Sequence, residues 1–180
     1  MWDAGRDFFF SGRTTIDTVD PYGAEWAQRL ESEPRTVAFD SLDPGDDETL
    51  IDPETGSPAV RRSNGKIVTA IPQRLPTTSP LSELILAQIA WVRTRDGMLY
   101  PAPVHPHGGN TWGYEGTGPR LLALLTQRLL DDITAPAPGG AREERVARGL
   151  ARLTVQSWPR GTVFTRERLL EARDGPAAPG

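Results

Sequence analysis

The 180-residue chain carries 24 acidic and 20 basic side chains, for a formal net charge of −4, and is 37% hydrophobic with 18 glycines and 17 prolines. That length supports one ordinary domain, and the low apolar share with so many turn formers predicts a modest core and much loop. Having no cysteine, the chain excludes disulfides and thiolate-held zinc or iron–sulfur centres.

The start has a short Phe8-Phe9-Phe10 run flanked by Asp3 and Asp7, unlike a secretory signal with its basic start and longer apolar stretch, so a cytoplasmic protein is expected. Charge is unevenly spread. Residues 1–60 hold 14 acids and 4 arginines, a balance of −10, whereas residues 61–180 hold 16 basic and 10 acidic residues, a balance of +6. Residues 1–48 therefore read as an acidic, partly disordered arm, which either is simply solvated or covers a basic surface. Within it, residues 24–30 suggest a short helix and residues 36–39 a short strand, and residues 40–48 read as exposed loop without the ligand spacing of a calcium site.

An α+β core is expected over residues 49–133. Asp52-Pro53-Glu54-Thr55-Gly56 and Asn64-Gly65 are turn signals, and their flanks predict a meander of short antiparallel strands. Residues 73–80, with Pro76 and Pro80, break the chain. Ser79-Pro80 has the form of a helix start, yet residues 88–95 alternate as a strand does, so the following stretch is open between the two. The longest apolar-rich stretch, residues 84–92, is interrupted by Gln88 and falls far short of the ~20 residues of a membrane helix. Asp96-Gly97 predicts another hairpin, leading into Pro101 and Pro103, which suit an edge strand because proline donates no ladder hydrogen bond.

The clearest helix follows. Leu121, Leu122, Leu125, Leu129 and Ile133 recur at helical spacing, with Arg120, Thr126, Gln127 and Asp131 mostly opposite. Gly118 reads as its cap and Pro119 as its first residue. The helix start could hold a phosphate or carboxylate through Gly116, Thr117, Gly118 and Arg120, but Pro119 removes an amide, Glu115 adds a negative charge and the spacing fits no nucleotide-binding loop. The alternative is that these glycines pack the helix onto the sheet.

Trp112-Gly113-Tyr114-Glu115-Gly116-Thr117-Gly118-Pro119, followed by Leu121, Leu122 and Ala123, resembles the W-G-Y-x-G-x-G-P motif and leucine-rich helix of small uncharacterised bacterial, plasmid and phage proteins. The resemblance spans residues 93–133. It implies a compact α+β unit of unknown activity, often near mobile elements, with no catalytic residues to carry over.

His105 and His107, the only histidines, would share one face of an extended segment and could hold a metal with Asp96 or Glu115, or else be plain loop residues. No hydrolase elbow or zinc-protease motif is present. Residues 134–140 read as a linker, residues 141–173 as a helical extension and residues 174–180 as a disordered tail. In the extension, residues 142–153 suggest a helix weakened by Gly149, Trp158-Pro159-Arg160-Gly161 a turn, and Thr165 the cap of a last helix. Its arginines raise nucleic-acid binding, but the connection is too long for a helix-turn-helix motif and interspersed glutamates dilute the charge.

The expected fold is thus α+β, a small antiparallel sheet of hairpins on a leucine-rich helix, with the acidic arm and the helical extension. The leading functional expectation is a non-catalytic interaction module. It would meet a protein or an anionic ligand through Trp112, Tyr114, Gly116, Thr117, Gly118 and Arg120, with His107 alongside and no cofactor. The alternatives are a metal-dependent or nucleotide-processing enzyme using His105 and His107, and an arginine-dependent nucleic-acid binder masked by the arm.

Overall fold

A computed structural model of the chain describes residues 10–140 and 144–175. The phenylalanines and acids before residue 10, the first part of the expected extension helix and most of the expected tail lie outside the described residues. The fold is α+β, with two antiparallel sheets and a layer of helices.

The first sheet has the order β1-β5-β4-β3-β2, built from β1 (Phe10–Ile16), β2 (Glu31–Ser32), β3 (Glu48–Ile51), β4 (Pro58–Arg61) and β5 (Ile67–Pro72). Strands β3, β4 and β5 form the expected meander, and the Asn64-Gly65 turn closes with Gly65 at φ +82°. The second sheet has the order β8-β7-β6-β9, from β6 (Leu81–Leu86), β7 (Ala90–Thr94), β8 (Leu99–Pro101) and β9 (Thr162–Thr165). Its β7–β8 hairpin turns at Asp96-Gly97, and proline-bearing β8 is an edge, both as expected.

Ser79-Pro80 starts no helix; strand β6 follows it. The ambiguity has a physical cause, because the second sheet is covered on both faces. Leu84, Leu86, Ala90, Val92 and Tyr100 pack toward the helices, while the alternating Ile85, Trp91 and Leu99 pack against Ile16, Trp26, Leu50, Ala59 and Ile67 of the first sheet and its helix. A strand buried on both sides reads as a continuous apolar run and loses the two-residue alternation.

The acidic arm is corrected more substantially. Residue 10 onward forms β1 on the edge of the first sheet, paired with β5, followed by helix α1 (Pro21–Ala27) and β2. Residues 36–39 make no strand; Val37–Leu42 is a 3-10 helix whose Phe39 and Leu42 cover the outer face of the first sheet at Val60. Sparse apolar residues suffice because Ile16, Trp26, Phe39 and Leu42 are all fully buried, although Val19 and Val37 stay exposed. Three acids of this region are paired with nearby arginines, Asp40 with Arg35, Asp47 with Arg62 and Glu48 with Arg61.

Polar side chains also tie the layers. Asp20 caps α1 through Oδ1, which accepts from the Tyr22 amide at 2.9 Å, while its Oδ2 accepts from the Gln88 amide between β6 and β7 at 2.9 Å. The Gln88 side chain returns the link, donating to the Thr15 carbonyl and accepting from the Asp17 amide. Asp20→Ala is expected to cost about 1–2 kcal/mol, as loss of a cap and of a second hydrogen bond, measurable by urea unfolding.

Helix α2 (Thr117–Asp131) lies on the second sheet with Leu121, Leu122, Leu125 and Leu129 buried as expected. It starts earlier than expected, with Gly116 at the cap and Pro119 third in the helix. Thr126, expected on the polar face, is buried and satisfied by donating to the Leu122 carbonyl at 2.8 Å. Helix α3 (Arg148–Val155) packs on α2, and α4 (Arg166–Asp174), capped by Thr165 as expected, packs on α3 and against β6 and β9.

The expected linker and extension are thus parts of the body. Ala135, Ala137 and Pro138 are buried, and the Ala137 amide donates to the Gln73 carbonyl. Strand β9 pairs with β6, so the chain after residue 160 completes the second sheet. Arg166 and Arg173, considered above for nucleic acid, hold α4 in place: Arg166 donates to the Leu81 and Leu130 carbonyls, and Arg173 pairs with Asp131 and Asp174. Among the described residues no helix is long and apolar enough to cross a membrane.

Candidate functional site

After β8 the chain leaves the sheet and runs to the start of α2 without regular structure. Residues 113–116 form bends with no strand pairing. Their path is held by the helical layer, where the Gly113 amide donates to the Thr154 carbonyl at the end of α3 at 2.9 Å. Gly113 has φ +89°, a left-handed conformation that a side chain would strain.

The two other motif glycines serve a different purpose. Gly116 is extended, at φ 168°, so its backbone admits any residue, but a Cβ there would lie 2.7 Å from Cε2 of Tyr114. A Cβ on Gly118 would fall 1.8 Å from the Thr111 hydroxyl oxygen and 2.9 Å from the Tyr114 hydroxyl. Those two hydroxyls bond each other at 2.7 Å. The spacing of glycines 116 and 118 thus makes a bare backbone platform on which the Tyr114 ring rests, with its tip tied to Thr111. Even so, Tyr114 is 50% exposed.

The neighbours behave otherwise. Trp112 turns inward, half-buried against the core beneath the helices, and is no part of an open contact face. Arg120 donates to the Glu144 carbonyl at 2.8 Å, and Glu144 is bound by Arg128, whose hydrogen bond holds that carboxyl below the usual carboxylate range. Thr117 and Glu115 are exposed. The structure therefore gathers Tyr114, Gly116, Thr117 and Gly118 at one surface turn, and assigns Trp112 and Arg120 to anchoring it. Thr111 was missed. Its signal was the glycine seven residues on, which leaves room for its hydroxyl.

Against protein-family models, curated proteins and solved structures alike, the chain shows no match. The turn is therefore read from its own geometry.

His105 and His107 lie in the loop between β8 and the turn, their rings 5.6 Å apart. The His107 amide donates to Nδ1 of His105 at 3.1 Å, and the His105 ring lies over Gly139, where a Cβ would come within 2.8 Å of Nε2. The expected third ligand is not brought to them: among the described residues no group of three or more His, Asp or Glu side chains is placed to hold a metal ion.

Proposed function

We propose that the chain is a non-catalytic binding module that meets a protein partner through the turn at residues 112–120, with Tyr114 as the anchor. The observation that carries this reading is a large aromatic ring left half-exposed yet seated on Gly116 and tied to Thr111. An aromatic side chain already held in one pose loses little freedom on association, which is why tyrosines of this kind dominate binding energy. Of the two expected partners, a protein is favoured over an anion. Pro119 removes an amide near the helix start, Arg120 is engaged on a carbonyl, and Glu115 is exposed beside the ring.

The test is capture of partners on the immobilised chain, followed by affinity measurement for any protein recovered. Tyr114→Ala is expected to weaken that affinity by about 30-fold, the effect of losing a hot-spot side chain, with the melting temperature unchanged. Tyr114→Phe, which keeps the ring and loses the Thr111 bond, should fall between. Equal affinity for wild type and a folded Tyr114→Ala chain would refute the reading.

A further inference from the structure

Among the described residues the two sheets end on β1, β2, β8 and β9. β2, β8 and β9 run for 2, 3 and 4 residues, and β8 carries Pro101, whereas β1 runs for 7. An edge strand of that length is a template for another strand unless something blocks it. The register tells which of its backbone groups face outward. The Arg62 amide donates to the Lys66 carbonyl, so the two-residue alternation turns Val68 toward β4 and Ile67 and Thr69 toward β1. Thr14 and Ile16, opposite Thr69 and Ile67, therefore spend their backbone groups on β5, while those of Arg13, Thr15 and Asp17 point away from the sheet.

Two devices obstruct this edge. The register shift between Phe10 and Arg13, with Gly12 at φ +56°, bulges its first part. Its last part is closed by one side chain. Gln88 donates through Nε2 to the Thr15 carbonyl at 2.8 Å and accepts through Oε1 from the Asp17 amide at 3.1 Å, as a residue of a neighbouring strand would. The Gln88 backbone is itself fixed, its N–H donating to Asp20 Oδ2 at 2.9 Å. Between the two devices Arg13 and Thr15 lie exposed.

We propose that the Gln88 side chain is a plug that keeps β1 from pairing with β1 of a second copy of this chain. An antiparallel neighbour centred on Thr14 would pair Arg13 with Thr15 of the second copy in both directions. The Thr15 carbonyl which that pairing needs is the one Gln88 holds. Nothing in this depends on the reading of Tyr114.

Sedimentation velocity and hydrogen exchange on the full chain test it. Wild type is expected to sediment as a single copy at about 100 µM, its Asp17 amide protected and its Thr15 amide exchanging at least about tenfold faster. Gln88→Ala is expected to self-associate as a folded chain with Kd of about 100 µM, the Thr15 amide gaining protection as concentration rises. Adding Thr15→Pro, which removes an outward N–H and leaves the β5 ladder intact, should return that variant to a single copy. If Gln88→Ala does not fold, Gln88→Glu takes its place, because its carboxylate still accepts from the Asp17 amide but cannot donate to Thr15. A folded variant that stays a single copy to about 500 µM, association equal to that of wild type or undiminished by Thr15→Pro, or a protected Thr15 amide in wild type would overturn the proposal.

Discussion

Asp52→Ala is expected to destabilise the chain by about 3–5 kcal/mol, the usual cost of removing one partner from a buried ion pair. Asp52 is 1% exposed, at the turn between β3 and β4. Its Oδ2 accepts from the Trp26 indole at 3.0 Å and from Arg29 at 2.9 Å; its Oδ1 accepts from Arg29 Nε at 2.9 Å and from the Glu54 amide at 3.0 Å. Arg29 continues to the Leu99 carbonyl and lies over the Tyr100 ring at 5.2 Å, so one carboxylate connects α1, the first sheet and the β8 edge of the second. Alanine would leave a largely buried guanidinium and an indole N–H without their acceptor.

The same group makes stability sensitive to acid. Burial by itself would raise the Asp52 carboxyl, but the Arg29 hydrogen bonds and charge, with Trp26 and the Glu54 amide, outweigh it and hold the group below its ordinary value. A carboxyl lowered in the folded state contributes its full stabilisation above the unfolded value, near 3.9, and loses it as pH falls through the folded value. Urea unfolding from pH 7 to about pH 3 should therefore show a steeper acid loss for wild type than for Asp52→Asn. A penalty under about 1 kcal/mol for Asp52→Ala would contradict this account.

Gly149→Ala is expected to destabilise by about 1–3 kcal/mol, the range for overpacking, although alanine is the better helix former by about 1 kcal/mol at an isolated site. A Cβ on Gly149 of α3 would lie 1.8 Å from the Ala172 carbonyl oxygen of α4 and 2.7 Å from its carbonyl carbon. Backbone cannot rotate aside, so the two helices must separate and loosen Leu150 and Leu169 beneath them. Urea unfolding decides the sign. A neutral or stabilised variant would mean that α3 and α4 are not in this contact.

The legible parts of the sequence were those whose cause is local. Asn64-Gly65 and Asp96-Gly97 announce their turns because positive φ is needed there, and α2 announces itself because its leucines recur on one face. What escaped depended on distant partners. Residues 10–42 hold too few apolar side chains to read as folded, and become so only against β5, the second sheet and the outer face at Val60. Thr162-Val163-Phe164-Thr165 has the composition of a strand, but its partner β6 lies far back in the chain. At the site, the motif turn was legible as a place and not as a mechanism. Spacing marks Tyr114, Gly116 and Gly118, while the inward course of Trp112 and the engagement of Arg120 with residue 144 arise from packing.

The pairing of Ile85 with Val163 bears on how the molecule is made. A ribosome adding roughly 5–20 residues each second exposes β6 for several seconds before β9 emerges to take its place along that edge. During that interval a strand with apolar side chains on both faces has a free row of amides and carbonyls, open to a neighbouring nascent chain. Helix α2, synthesised in between, is the first element able to shield one of those faces, and its early, locally encoded formation protects the half-built sheet until the last strand arrives.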